Sequence, residues 1–118
     1  MNEPDEWELR YYQTPGRRVP FRDWWDALKD PRAVAAVRER LDRLRRGLFG
    51  DCEPVGEGVL EFRIDLGPGY RGYFCRSGQA VMLLLCGGDK STQGRDIARA
   101  KEYRRDHEKR TRTGVDSG

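Results

Sequence analysis

Hydrophobic and polar positions alternate most cleanly between Val59 and Leu66, where Leu60, Phe62, Ile64 and Leu66 are interleaved with Val59, Glu61, Arg63 and Asp65. A period of two predicts a strand with one covered face. Gly67-Pro68-Gly69 forces a turn, the chain returns as Tyr70 to Arg76, and Ser77-Gly78 reverses it again before Gln79 to Cys86. That last run is apolar on both faces, which predicts an interior strand with something packed on each side. Setting Leu66 opposite Tyr70 places Phe62, Ile64 and Phe74 on one face and Glu61, Arg63, Asp65, Arg71 and Tyr73 on the other. The first face is expected to be core and the second wet. Gly87-Gly88-Asp89-Lys90-Ser91-Thr92 then reads as a polar turn, with Ser91 or Thr92 capping a helix that runs to about Tyr103.

Upstream, the aromatic run from Trp7 to Gln13 predicts a further strand that can add to the sheet, ending at the turn signal Thr14-Pro15-Gly16. Phe21, Trp24, Trp25 and Leu28 fall at helical spacing after Pro20. Asp30-Pro31 closes that helix and opens the next, because aspartate is a good N-cap and proline fits the first helical position. In the second helix Val34, Val37, Leu41, Leu44 and Leu48 form the apolar stripe, and Gly47 and Gly50 supply its end. Asp51 to Gly58 reads as a connecting loop. In the final helix Ile97, Ala100 and Tyr103 make only a thin stripe, and the charged residues beyond it are expected to fray. The pattern predicts one α+β domain over residues 1–105, a small antiparallel or mixed sheet packed on an N-terminal helical hairpin with a short C-terminal helix, followed by a disordered tail over 106–118.

Composition narrows the class. Of 118 residues, 36% are charged, and no apolar run approaches the ~20 residues needed to span a bilayer. The acidic start Met1-Asn2-Glu3-Pro4-Asp5 lacks the apolar core of a secretory signal, so a cytoplasmic protein with no membrane partner is expected. The net charge is +3 and the isoelectric point about 8.9. Positive charge is mostly arginine and clusters at Arg38, Arg40, Arg43, Arg45 and Arg46, which suits phosphate partners; the plainer alternative is a solvated helix face laced with Glu39 and Asp42. Cys52, Cys75 and Cys86 have no close pairing and His107 is the single histidine, so neither a metal site nor a cofactor is expected. The same scarcity argues against a Ser-His-Asp or Cys-His arrangement, and Cys75 and Cys86 are expected to be buried free thiols. Trp24 and Trp25 could serve as a base-stacking platform, but their spacing favours core.

The ordered set Gly58-Val59-Leu60-Glu61-Phe62-Arg63-Ile64-Asp65, Gly67-Pro68-Gly69-Tyr70-Arg71-Gly72-Tyr73-Phe74, Leu83 to Gln93 and Asp96-Ile97-Ala98-Arg99-Ala100 resembles the RelE/ParE superfamily of toxins from type II toxin-antitoxin modules. The closer likeness is to the HigB-like, phage-associated addiction-module killer proteins, over about Trp7 to Tyr103. The resemblance implies a toxin that enters the ribosomal A site and cuts mRNA, or, in the ParE branch, one that inhibits DNA gyrase without cutting RNA. A degenerate member kept only as a protein-binding module is the third possibility. It also implies a cognate antitoxin, in this subgroup usually a small helix-turn-helix protein.

By family position Arg71 matches the active-site arginine after the aromatic residue of the second hairpin strand. Lys90 matches the basic position after the last strand, and Arg63 falls near the basic residues of the strand before. Together they can hold a scissile phosphate, since arginine makes charge-assisted, often bidentate bonds to phosphate oxygens. Attack by a 2′-hydroxyl needs charge stabilisation more than a strong base, so Arg63, Arg71 and Lys90 are the catalytic candidates of a metal-independent endoribonuclease. Glu61, Asp65, Tyr73 and Arg95 are the accompanying substrate-contacting candidates. Glu61, Asp65 or Tyr73 would act as base, with Tyr73 alternatively stacking on a nucleobase, and the sequence does not choose among them. Where some mRNA-cutting members carry a tyrosine early in the last helix, this chain has Gly94, Arg95, Asp96 and Ile97. Alternatively, Arg63 and Arg71 simply pair with Asp65 and Glu61 across the strands.

Overall fold

The computed structural model describes residues 5–113 as an α+β fold with one five-stranded mixed sheet and three helices. In chain order these are β1 (Glu8–Tyr11), α1 (Pro20–Ala27), α2 (Pro31–Arg45), β2 (Cys52–Gly56), β3 (Val59–Ile64), β4 (Tyr70–Ser77), β5 (Val81–Asp89), a short 3₁₀ turn (Lys90–Thr92) and α3 (Gln93–Thr113). The strands lie in the order β1-β5-β4-β3-β2. The β1 strand joins β5 in parallel, and all other neighbours are antiparallel.

Both faces of the sheet are covered, and β5 shows why its sequence is apolar throughout. Met82 and Leu84 join Phe21, Val37, Leu41, Leu44, Phe62 and Phe74 in a core beneath α1 and α2. Leu83 and Leu85 join Tyr12, Val59, Tyr73, Cys75 and Ala100 in a second core beneath α3. Each of these larger side chains contributes roughly 1.5–3 kcal/mol when fully buried. The face expected to be wet is therefore roofed by α3 over its centre, where Glu61 and Tyr73 are fully buried.

The β3–β4 pairing sets Ile64, not Leu66, opposite Tyr70. The expected register was off by two residues, which leaves every side chain on the face assigned to it because strand side chains alternate with a period of two. Asp51 to Gly58 is not merely a loop: Cys52–Gly56 forms the edge strand β2 despite Pro54, which an edge strand tolerates, and its register slips between Pro54 and Gly56. Asp30 caps α2 as expected, its side chain accepting from the Arg32 amide. That helix stops at Arg45, so Leu48 falls outside the stripe and is 51% exposed, while Ala33 takes a buried place instead.

The largest departure is α3, which continues ten residues beyond Tyr103 to Thr113. Its outer half is held by polar contacts rather than by a broad apolar stripe. Tyr103 stacks on Tyr12 at 4.8 Å between ring centroids. The Tyr12 hydroxyl donates to Asp106, Arg110 pairs with Asp106 at 2.7 Å, and Arg110 also donates to the Gln13 carbonyl. His107 lies on this ordered helix, 3.0 Å from the Ser77 hydroxyl. Of the tail expected to be disordered, residues 106–113 are helical and the remainder lies outside the described residues. Among the described residues no helix is long and apolar enough to cross a membrane.

Candidate active site at the sheet end

The β3, β4 and β5 strands converge with the start of α3 where Arg63 faces Arg71 and Arg71 faces Gly88. Gly87 and Gly88, expected in a turn, are instead the last part of β5. Glycine is needed there for close approach. A Cβ on Gly87 would lie 2.2 Å from the Trp24 ring on the α1 side, and one on Gly88 would lie 1.8 Å from an Asp96 carboxylate oxygen on the α3 side. The turn into α3 is capped by Asp89 rather than by Ser91 or Thr92, with the Asp89 side chain accepting from the Ser91 amide at 2.8 Å. Thr92 completes the cap by accepting from the Asp89 amide and bonds Asp96 in turn.

Glu61 is the hub beneath this end. It is 0% exposed, and its carboxylate accepts from the Tyr73 hydroxyl at 2.9 Å, the Gln93 amide at 2.8 Å and Arg63 Nε at 3.0 Å. Burial alone would raise its pKa, but the donors Gln93, Arg63 and Tyr73 outweigh that and hold it below the ordinary carboxylate value. Tyr73 is likewise 0% exposed. Burial, then its bond to Glu61, pushes its hydroxyl far above the usual phenol range. Their complete burial argues against Tyr73 stacking on a base, and burial with three donors argues against Glu61 acting as a proton acceptor. Both instead tie Arg63 and the first turn of α3 to the sheet.

Arg63 pairs with Glu61 and, through a second nitrogen at 3.2 Å, with Glu53 of β2. The ion-pair alternative thus holds for Arg63, with Glu53 in place of Asp65. Arg71 is different. It is only 8% exposed, no carboxylate pairs with it among the described residues, and its Nε is buried without a hydrogen-bond partner. Two arginines stand directly opposite each other across β3 and β4, and only one is neutralised. Lys90 is exposed at the same end, its backbone amide bonded to the Gly69 carbonyl at 2.8 Å beside the β3–β4 turn. Asp65, just past β3, is exposed. Arg95 is exposed on the first turn of α3, 3.6 Å from the buried Asp96 carboxylate.

The strands thus bring Arg63, Arg71, Glu61 and Tyr73 together, with Lys90 at the same end. Sequence reasoning missed Gln93 and Asp96. No local signal marks Gln93 as a partner of Glu61, since the two are 32 residues apart, whereas the adjacent glycines could have indicated that something bulky approaches β5 from both sides. Cys75 and Cys86 are free and buried, as expected, and Trp24 and Trp25 pack against the first core, Trp25 Nε1 donating to the Val34 carbonyl at 3.2 Å. Among the described residues no group of His, Cys, Asp and Glu side chains has the arrangement of a metal site.

Over 83 residues the chain is 48% identical to an uncharacterized protein of Haemophilus influenzae strain Rd, an alignment that covers 70% of this chain and 84% of that protein. No family model matches the chain. No solved structure matches it.

Proposed function

The chain belongs to one family with the Haemophilus influenzae protein, and from the arrangement of its own residues we propose that it is a RelE/ParE-superfamily toxin of a type II toxin-antitoxin module, cutting mRNA on the ribosome. The observation that carries this reading is Arg71. A buried Nε–H without a partner costs stability, and an anion that reaches the guanidinium would complete it. A phosphate matches the fork geometry of arginine, and Lys90 adds positive charge at the same end of the sheet.

In this reaction the 2′-hydroxyl oxygen attacks the adjacent phosphorus and the P–O5′ bond breaks. A 2′,3′-cyclic phosphate and a free 5′-hydroxyl result. The 2′-hydroxyl proton passes to a base and a proton is delivered to the departing 5′-oxygen. Arg71 holds the non-bridging oxygens as negative charge builds on them, the contribution expected to dominate the rate. Lys90 supplies a mobile ammonium beside it. Of the three candidate bases only Asp65 is exposed, so it takes that role. A cognate antitoxin, a small helix-turn-helix protein in the related modules, would neutralise the activity.

Primer extension on an mRNA translated in a reconstituted system tests the reading. New 5′ ends inside codons, made by the wild-type protein without added metal beyond what the ribosome requires, are the expected result. Intact mRNA from a preparation that arrests growth would contradict it and turn attention to gyrase supercoiling.

A further inference from the structure

The β1 strand accompanies β5 only as far as Leu84, where the Tyr12 amide donates to the Leu84 carbonyl at 2.9 Å. The chain then leaves through the turn at Thr14–Arg18, while β5 continues to Asp89. From Cys86 onward the outer edge of β5 has no strand beside it. That bare edge forms part of the wall of a cleft of about 420 Å³ between the turn, α1 and α3. Clefts of this order hold small organic ligands.

The lining has a specific chemistry. Trp24, half-buried, lies over Gly87, and half-buried Tyr103 lines the cleft from α3. The guanidinium groups of Arg18 and Arg99 and the carboxylate of Asp23 are exposed around it, and none has a hydrogen-bond or ion-pair partner among the described residues. Asp96, also in the lining, is already engaged by Thr92 and Arg95. A flat aromatic wall, a strand edge that can offer backbone donors and acceptors, two arginine donors and one free carboxylate together match a nucleobase. Guanine matches best: its N7 and O6 accept from one arginine in a fork, and its N1–H and amino group donate to a carboxylate. A fully anionic ligand is disfavoured by Asp23 and Asp96, and an apolar one by the arginines.

The cleft is one strand away from Arg71, because Gly88 on β5 is the register partner of Arg71 on β4. We propose that the cleft at the free end of β5 binds a guanine base of the RNA whose phosphate Arg71 takes, with Arg18, Arg99 and Asp23 reading its edge and Trp24 supporting its plane. The inference rests on the nuclease reading for its role in selecting the cut site, but binding itself is measurable without cleavage.

The experiment is an NMR titration of the full chain with guanosine 5′-monophosphate and, separately, cytidine 5′-monophosphate, following the Trp24 indole N–H and the Gly87 amide. Guanosine monophosphate is expected to shift both signals saturably and about tenfold or more tightly than the cytidine nucleotide. An Arg18→Ala/Arg99→Ala variant, altered only at exposed positions, is expected to keep a folded spectrum and bind about ten- to a hundredfold more weakly. Absence of shifts at Trp24 and Gly87, equal affinity for the two nucleotides, or unchanged binding by the variant would each overturn the cleft assignment. None of these results bears on Arg71, whose role is decided by mRNA cleavage.

Discussion

Arg71 and Glu61 lie on adjacent strands and the same face of the sheet, and each is a charge kept from water. Glu61 has three donors; Arg71 has a buried Nε with none. Replacing Glu61 by Gln turns part of an acceptor surface into a donor facing Tyr73, Arg63 and Gln93. The expected loss is about 1–3 kcal/mol in denaturant midpoint analysis. The pH dependence has a definite sign. The folded pKa of Glu61 lies below its unfolded value of 4.5. Its stabilisation is therefore complete above that value and disappears as pH falls through the folded pKa. The wild-type protein should accordingly lose more stability between pH 7 and pH 3 than Glu61→Gln does. Parallel pH curves for the two would contradict the buried-carboxylate account. This hub was only half legible in the sequence: alternation put Glu61, Arg63, Arg71 and Tyr73 on one face, but period-two patterning cannot tell an open face from one roofed by a distant helix.

At the scale of elements, α3 and the end of β5 hold most of what the sequence concealed. A thin apolar stripe predicted a helix ending near Tyr103, because hydrophobic periodicity does not register Tyr12, Asp106 and Arg110 locking a helix by hydrogen bonds. Truncation after Tyr103 is expected to lower the thermal midpoint by several degrees, since about 1 kcal/mol moves a domain between the small and the mid-sized by roughly 4 °C; an unchanged midpoint would show that the outer half of α3 holds nothing. The two glycines give a second test. Gly88→Ala drives a methyl into the Asp96 carboxylate and Gly87→Ala drives one into the Trp24 ring. Each should destabilise by about 1–3 kcal/mol, the usual range for overpacking. The places of β1, β3 and β4, the α2 cap at Asp30 and the Phe21 stripe were readable because they depend on residues close in sequence. By contrast, β2 was hidden by Pro54, which counts against a strand unless it is known to lie at an edge.

Across the whole molecule, two covered faces leave little of the sheet exposed. Its thiols report on this directly. Burial raises the Cys75 thiol to about 11 and the Cys86 thiol to about 12. Cys52 is half-buried in β2. Under native conditions at pH 8 a disulfide reagent should label Cys52 well ahead of the other two, with all three reacting once the protein is unfolded; prompt native labelling of Cys75 or Cys86 would mean that α3 opens readily from the sheet. Within that closed arrangement Arg71 is a buried charge that no carboxylate among the described residues pairs with. Replacing Arg71 by Met, which keeps its bulk and removes its charge, isolates its proposed role, with thermal stability and mRNA cleavage on translating ribosomes measured on the same preparation. The midpoint is expected to be unchanged or raised, by on the order of 1 kcal/mol, and cleavage to fall by about 10²- to 10³-fold. Cleavage at the wild-type rate by a stably folded Arg71→Met protein would contradict that role.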